Sequence, residues 1–234
     1  HRGYIVIDGK RYYFDEETGE NKEGIYQVPT GQTYLFDGNG NILYGIQEYQ
    51  GKKYYFDDTT GNLYSGLRSF GDKLYYFDGK NGLIVNEEKK IGDVTYSFNE
   101  SGEGAVIIDE SNPISIMINE AMNYLGEPYA YDPTQGVDCS QLISNILKSV
   151  GIELEAWAEK QAEYFRQSGE YTVFTDIAEL QPGDLVYYTQ PLCGNNDCEF
   201  TNEIHHVAFY MGNGTVVEAS QKEGIVVHQI ELSD

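Results

Sequence analysis

The stretch "GVDCSQL", Gly136 to Leu142, places one of only three cysteines at the foot of an apolar stripe. Cys139, Leu142, Ile143, Ile146, Leu147 and Val150 recur at i, i+3, i+4, i+7, i+8 and i+11 before Gly151, which predicts a buried helix with Cys139 in its first turn. At that position unpaired backbone N–H groups and the positive end of the helix dipole favour a thiolate, the nucleophilic form of sulfur. The same pattern describes a small buried cysteine that merely completes the stripe, because free Cys is among the most buried residue types. A partner elsewhere in the chain decides between the two readings.

"EIHHVAFYMGNGTVVEAS", residues 203–220, supplies one. It predicts two strands, His205 to Met211 and Thr215 to Ala219, joined by a turn at Gly212 to Gly214. Alternation puts His206, Ala208 and Tyr210 on one face and His205, Val207, Phe209 and Met211 on the other. Glu218 on the mate strand faces His206, where its carboxylate orients the imidazole toward sulfur. Cys139, His206 and Glu218 are therefore the candidate catalytic residues. His205 is the competing base, and its parity points it away if His206 faces the helix. His228, in "IVVHQIEL", reads as a surface or packing histidine on another strand.

A first helix is expected from Pro113, after the polar Ser111 and Asn112, with Ile114, Met117, Ile118, Ala121, Met122 and Leu125 on one face and Gly126 as its stop. The segment "EPYAYDPTQGVD" then forms a loop that delivers the chain to Cys139. Cys193 and Cys198 enclose a short loop and read as a disulfide, with zinc held by the two plus His205 as the weaker alternative for want of a fourth ligand.

The first part of the chain is a tandem repeat. "GKRYYFD", "GQTYLFD", "GKKYYFD", "GDKLYYFD" and "GDVTYSFN" begin at residues 9, 31, 51, 71 and 92, and their Phe residues, at 14, 36, 56, 77 and 98, are 22, 20, 21 and 21 apart. A fixed period of this size means stacked units, since a lone hairpin cannot bury its aromatic face. Turn segments such as "DGNGN" at 37–41 follow each aromatic core. Most of these rings are expected to glue the array together, with sugar stacking on exposed Tyr as the alternative. Asp37, Asn39, Asn41 and Glu48 fall at calcium-loop positions, but Ile42 stands where the sharp turn needs Gly, so no metal is expected.

Composition bounds the partners. The net charge is -23, with -8 in residues 1–112 and -15 in residues 113–234, which argues against nucleic acid and anionic membrane surfaces. No apolar run approaches the roughly 20 residues needed to cross a bilayer, and no charged-then-apolar leader opens the chain. It begins inside the repeat pattern, at "HRGY", so it is expected to be a processed or truncated piece.

Two resemblances follow from these motifs. "GEPYAYDPTQGVDCSQLI", "LQPGDLVYY" and "HHVAFYMGNGTVVEAS" resemble, in order and spacing, the motifs of the NlpC family of papain-like cysteine peptidases, which cleave peptidoglycan stem peptides. The resemblance implies Cys139 as nucleophile, His206 as base and Glu218 in the third polar position, with Tyr129, Asp138 and Ser140 lining the pocket for the substrate's amino-side residues. It implies no cofactor. Asp138 reads equally as a helix cap. The family usually has Gly where this chain has Gln141 and His where it has Glu218, and the loop from Tyr129 to Cys139 is shorter than usual. The repeats resemble the cell-wall-binding units of choline-binding and glucan-binding surface proteins. Cage-forming Trp places in the choline-binding members hold Ile25, Ile46 and Leu67 here, and the only Trp is Trp157.

The expected fold is α+β: an all-β hairpin-repeat array at residues 1–104, a linker at 105–112, and a papain-like domain at 113–234 whose Cys-bearing helix packs on an antiparallel sheet. The expected function is a secreted, cell-wall-associated cysteine endopeptidase. Its substrate would be the peptidoglycan stem peptide, cut at a γ-D-glutamyl-diamino acid bond, and its repeats would hold a wall carbohydrate or polymer. The alternatives are an inactive wall-binding or adhesion protein, and an amidase or acyltransferase using the same triad.

Overall fold

The computed structural model describes residues 2–169, 172, 176–188, 204 and 206–230. Among them the chain is mostly β-strand, with three α-helices. It divides into two compact units, the first comprising the chain up to Ser65 together with Tyr76–Ile84.

In the first unit, β1 (Gly3–Ile7) pairs with β2 (Lys10–Phe14), β4 (Thr33–Phe36) lies between β3 (Gly24–Gln27) and β5 (Ile42–Leu43) and pairs with both, and β6 (Gly45–Tyr49) pairs with β7 (Lys52–Phe56), all antiparallel. The residue after each repeated Phe builds the turn. Oδ1 of Asp15 accepts from Thr18 N at 2.9 Å, that of Asp37 from Asn39 N at 2.8 Å, and that of Asp57 from Thr60 N at 2.7 Å. These Asx turns let the backbone reverse without a longer loop. Tyr13, Tyr34, Phe36, Tyr55 and Phe56 are buried between hairpins. Ring centroids lie 6.0 Å apart for Tyr13 and Phe36 and 5.7 Å for Tyr55 and Phe77, distances at which tilted aromatic pairs add to area burial. The rings are thus mainly the array's interior. Asp37, the first residue of the calcium-like spacing, also accepts from Asn41 Nδ2 at 2.7 Å, so both its oxygens serve the turn.

The second unit comprises Gly66–Tyr75 and everything from Val85 onward. It holds β8 (Gly66–Phe70), and the boundary between units falls inside β9 (Lys73–Asp78), which precedes β10 (Gly82–Leu83). Then come β11 (Glu87–Ile91), β12 (Val94–Phe98) and β13 (Gly104–Ile107), paired in that order. Three helices follow: α1 (Pro113–Met122), α2 (Cys139–Lys148) and α3 (Ala158–Ser168). Last is the antiparallel sheet β14 (Leu185–Tyr188), β15 (His206–Gly212), β16 (Thr215–Ser220) and β17 (Gly224–Gln229), whose spatial order is its sequence order.

Compactness divides the chain at a different place from the end of the repeat pattern near residue 104. The physical reason is that the later hairpins pack on the elements that follow them. β8 lies along β17, where Val227 N donates to the buried Ser69 Oγ at 2.8 Å, and α1 packs on β12 and β13. α1 begins as its sequence predicts, with Asn112 Oδ1 accepting from Ile114 N at 3.0 Å and Pro113 in the first turn. α2 lies against β15 and β16, and its stripe Leu142, Ile143, Ile146 and Leu147 is buried. Each such side chain stabilises the fold by about 1.5–3 kcal/mol.

Ser69→Ala leaves the buried Val227 N–H without an acceptor. It should lower stability by about 1–3 kcal/mol, read as a shifted urea midpoint at an unchanged slope.

Candidate active site

Local capping decides where Cys139 stands. Asp138 is the N-cap of α2: its Oδ1 accepts from Gln141 N at 2.8 Å and from Ser140 Oγ at 2.8 Å, while Asp138 N donates to Gln141 Oε1 at 3.2 Å. This reciprocal capping box makes Cys139 the first helical residue. It also gives Gln141 a local role, which Gly could not fill. Gln141 Nε2 reaches back to donate to Tyr131 O at 3.2 Å, so the residue ties the helix to the preceding loop.

That loop is held from two sides. Val137 N donates to Pro128 O at 3.2 Å and Ala130 N to Val137 O at 3.3 Å, which forms a parallel bridge between Tyr129 and Val137. Gly126 N donates to Ile225 O at 3.0 Å and Ile225 N to Glu127 O at 2.9 Å, seating the loop's start on β17. Gly224, at φ +75°, permits this approach, since a Cβ there would lie 2.3 Å from Glu127 O.

β15 and β16 bring the remaining groups. The register pairs Phe209 with Val217 and Tyr210 with Val216; continued outward it sets Glu218 across from Ala208 and diagonal to His206 on the same face. The small Ala208 leaves that diagonal open. His206 Nε2 donates to Glu218 Oε2 at 2.8 Å, which leaves Nδ1 for the Cys139 thiol, a hydrogen-bonding partner of the same imidazole. Tyr188 covers the ring with centroids 5.4 Å apart. His206 and Cys139 are buried, yet Cys139 opens onto a cleft of about 390 Å³ lined also by Tyr129, Asp138, Ser140, Trp157 and Glu159.

Burial works to depress the basicity of His206, but hydrogen bonds to Cys139 and Glu218 outweigh it and hold its pKa up to about 9. Burial likewise works to raise Glu218, and hydrogen bonds from His206 and His228 overturn that, holding the carboxyl down at about 2. In Tyr129 burial dominates and pushes the phenol up, with Tyr131 and Cys139 adding to it. The arrangement keeps an imidazolium next to sulfur, the condition under which a thiolate is stabilised in a dry site.

The structure therefore brings together Cys139, His206 and Glu218, and sets Tyr129, Asp138 and Ser140 around the same cleft. His228 differs from the sequence expectation. It is no isolated surface or packing group, because its Nε2 lies 3.1 Å from Glu218 Oε1. Trp157 was not singled out for this cleft by any motif; it stands in the turn before α3, 59% exposed. His205, Cys193 and Cys198, with the disulfide and zinc readings that rest on them, lie outside the described residues.

A thiol at a helix tip, an imidazole from an antiparallel sheet and a carboxylate bonded to that imidazole thus meet at one cleft. Residues 126–233, a little under half of the chain, match the NlpC/P60 family. Among curated relatives the chain is 28% identical over 117 residues to a gamma-DL-glutamyl hydrolase of Bacillus subtilis, covering 47% of this chain and 24% of that one. It is 30% identical over 112 residues to a gamma-D-glutamyl-L-lysine dipeptidyl-peptidase of Bacillus cereus, covering 46% and 28%. The chain thus spans about a quarter of the length of these relatives. Among solved structures it is similar to choline binding protein F from Streptococcus pneumoniae, with 27% identity, a TM-score of 0.39, and coverage of 45% of this chain and 34% of that one.

Two outcomes test this geometry. Gly136→Ala would put a Cβ 2.1 Å from Pro128 O, so it should destabilise the protein and displace Tyr129 from the cleft. Thermal and urea unfolding should register about 1–3 kcal/mol. The folded value of His206 lies above its ordinary 6.5, so its contribution to stability is complete below that pH and is lost as pH rises through about 9. Glu218 lies below its ordinary 4.5, so its contribution is complete above 4.5 and is lost as pH falls toward about 2. The melting-temperature gap between wild type and Glu218→Gln should therefore be widest between pH 4.5 and 6.5 and narrow on both sides.

Proposed function

We infer that the chain is a cell-wall hydrolase, a papain-like cysteine endopeptidase acting on peptidoglycan stem peptides at a γ-D-glutamyl-diamino acid bond. The observation that carries this reading is the 2.8 Å contact between Glu218 and His206, with the Cys139 thiol as the same imidazole's other partner. The glutamyl specificity of the two Bacillus relatives, as their names state it, supports the bond.

In this mechanism the Cys139 thiolate adds to the scissile carbonyl. The oxyanion is met by backbone N–H groups at the tip of α2, positioned by the Asp138 cap. His206 gives its proton to the departing amine, leaving a thioester on Cys139. Water then adds, with His206 taking its proton, and the acid product leaves as the thiolate reforms. Glu218 keeps the ring aimed throughout. Tyr129, Asp138 and Ser140 bind the amino-side residues of the substrate, and no metal or cofactor takes part. The protein acts outside the cell, and the repeats hold it on a wall carbohydrate or polymer.

Purified peptidoglycan treated with the protein should release fragments whose masses mark cleavage after a γ-linked D-glutamyl residue. Cys139→Ala should lower the rate by at least about 1,000-fold while wall binding persists. Wild-type protein that binds walls, releases nothing and resists alkylation at Cys139 would leave the adhesion reading in its place. Fragments cut at a different amide, or joined to an added amine, would assign amidase or acyl-transfer chemistry to the same residues.

A further inference from the structure

His228 is an ionisable group in contact with Glu218 that the proposed mechanism does not use. Its surroundings single it out. β16 is flanked by β15 and β17, and the registers place Val216 opposite His228 and Glu218 opposite Val226. His228 is thus diagonal to Glu218 on one side, as His206 is on the other, and period-2 alternation keeps all three on one face. Both imidazoles meet the carboxylate through Nε2: His206 at Oε2, 2.8 Å away, and His228 at Oε1, 3.1 Å away. Side-chain exposures of 9%, 17% and 20% for His206, Glu218 and His228 grade outward from the buried base to the rim.

A glutamate held only through Oε2 retains rotation about its last bonds, and every such rotation swings the acceptor off His206. A second donor on Oε1 removes that freedom, because both oxygens must then be satisfied together. We propose that His228 is a positioning residue for the Cys139–His206 pair, one that locks the Glu218 carboxylate between two imidazoles. Glu218, the departure from the family's usual His, thereby becomes a rigid acceptor rather than a mobile one. Among the described residues, the charged or titratable groups in contact with Glu218 are His206 from β15 and His228 from β17. Arg68, the cation on neighbouring β8, has its guanidinium 3.7 Å from Glu223.

The inference rests on the cysteine-peptidase reading for its consequence in catalysis, but its test does not depend on peptidase activity. Protein labelled with 13C-histidine can be titrated by NMR, with Cys139 alkylation by iodoacetamide followed over the same pH range. In wild type His206 should titrate near 9. In His228→Phe, which keeps a ring and removes the donor, the His206 midpoint should fall toward 6.5 and the alkaline limb of the alkylation profile should move with it. His228→Gln, whose amide can donate to Oε1, should restore both. If wild type cleaves peptidoglycan, kcat in His228→Phe should drop about tenfold, part of the roughly 100- to 10,000-fold that a positioned base contributes, with KM little changed. His228→Asn, too short to reach Glu218, replaces the Phe variant should that one not fold. An unchanged or raised His206 midpoint in folded Phe or Asn protein would overturn the proposal, as would a Gln variant no closer to wild type than Phe. Failure of wild type to release fragments, with the midpoint shifts still observed, would remove the peptidase reading and leave the coupling of His228 to His206 standing.

Discussion

The Asp138 cap is the contact on which the rest of the site depends. A helix start is ambiguous by a residue or two unless a side chain fixes it, and Asp138 does so by taking Gln141 N at 2.8 Å. One residue later and Cys139 would be a cap with extended backbone, outside the first helical turn. The same carboxylate accepts from Ser140 Oγ, and Gln141 closes the box and reaches Tyr131 O. Four residues in sequence therefore settle the sulfur's direction, its nearest backbone donors and the wall of its cleft.

From the sheet side, the contest at His206 and Glu218 is between burial and pairing. Burial alone would discharge both groups, since a dry site penalises charge. The pairing contacts win in each, with His206 held charged up to about 9 and Glu218 ionised down to about 2. Removing either would leave the other as an uncompensated buried charge. The second oxygen of Glu218, 3.1 Å from His228 Nε2, gives β17 a part in the arrangement.

The repeats have two structural fates. Those in the first unit are bound together by their own aromatic interiors and Asx turns. β8 and β11–β13 instead belong to the compact unit that carries the site. Gly92 approaches Pro182, whose segment leads into β14, and Ser69 Oγ serves the backbone of β17 one residue before His228. A repeat sequence can thus end as packing for the domain that follows it, because a terminal unit with no next hairpin must cover its apolar face with something else.

By itself the sequence determined the features that repeat at short range: the helix stripe that starts at Cys139, the face of β15 that His206 shares with Ala208 and Tyr210, the 20- to 22-residue period, and the turns that follow the repeated Phe residues; it offered Asp138 equally as cap and as pocket residue, and the structure shows the cap. It left α3 unread, because that helix buries only Ala158, Gln161 and Ala162 and starts at Trp157 without a side-chain cap. It also left Trp157 without a role and misread His228. Tertiary structure alone decided those. Which residues lie diagonal across β15, β16 and β17 depends on strand register, and the register, which shifts between Tyr210 and Gly212, follows from turn geometry that alternation does not encode. A periodic pattern says which face a side chain occupies; only the paired strands say whom it meets there.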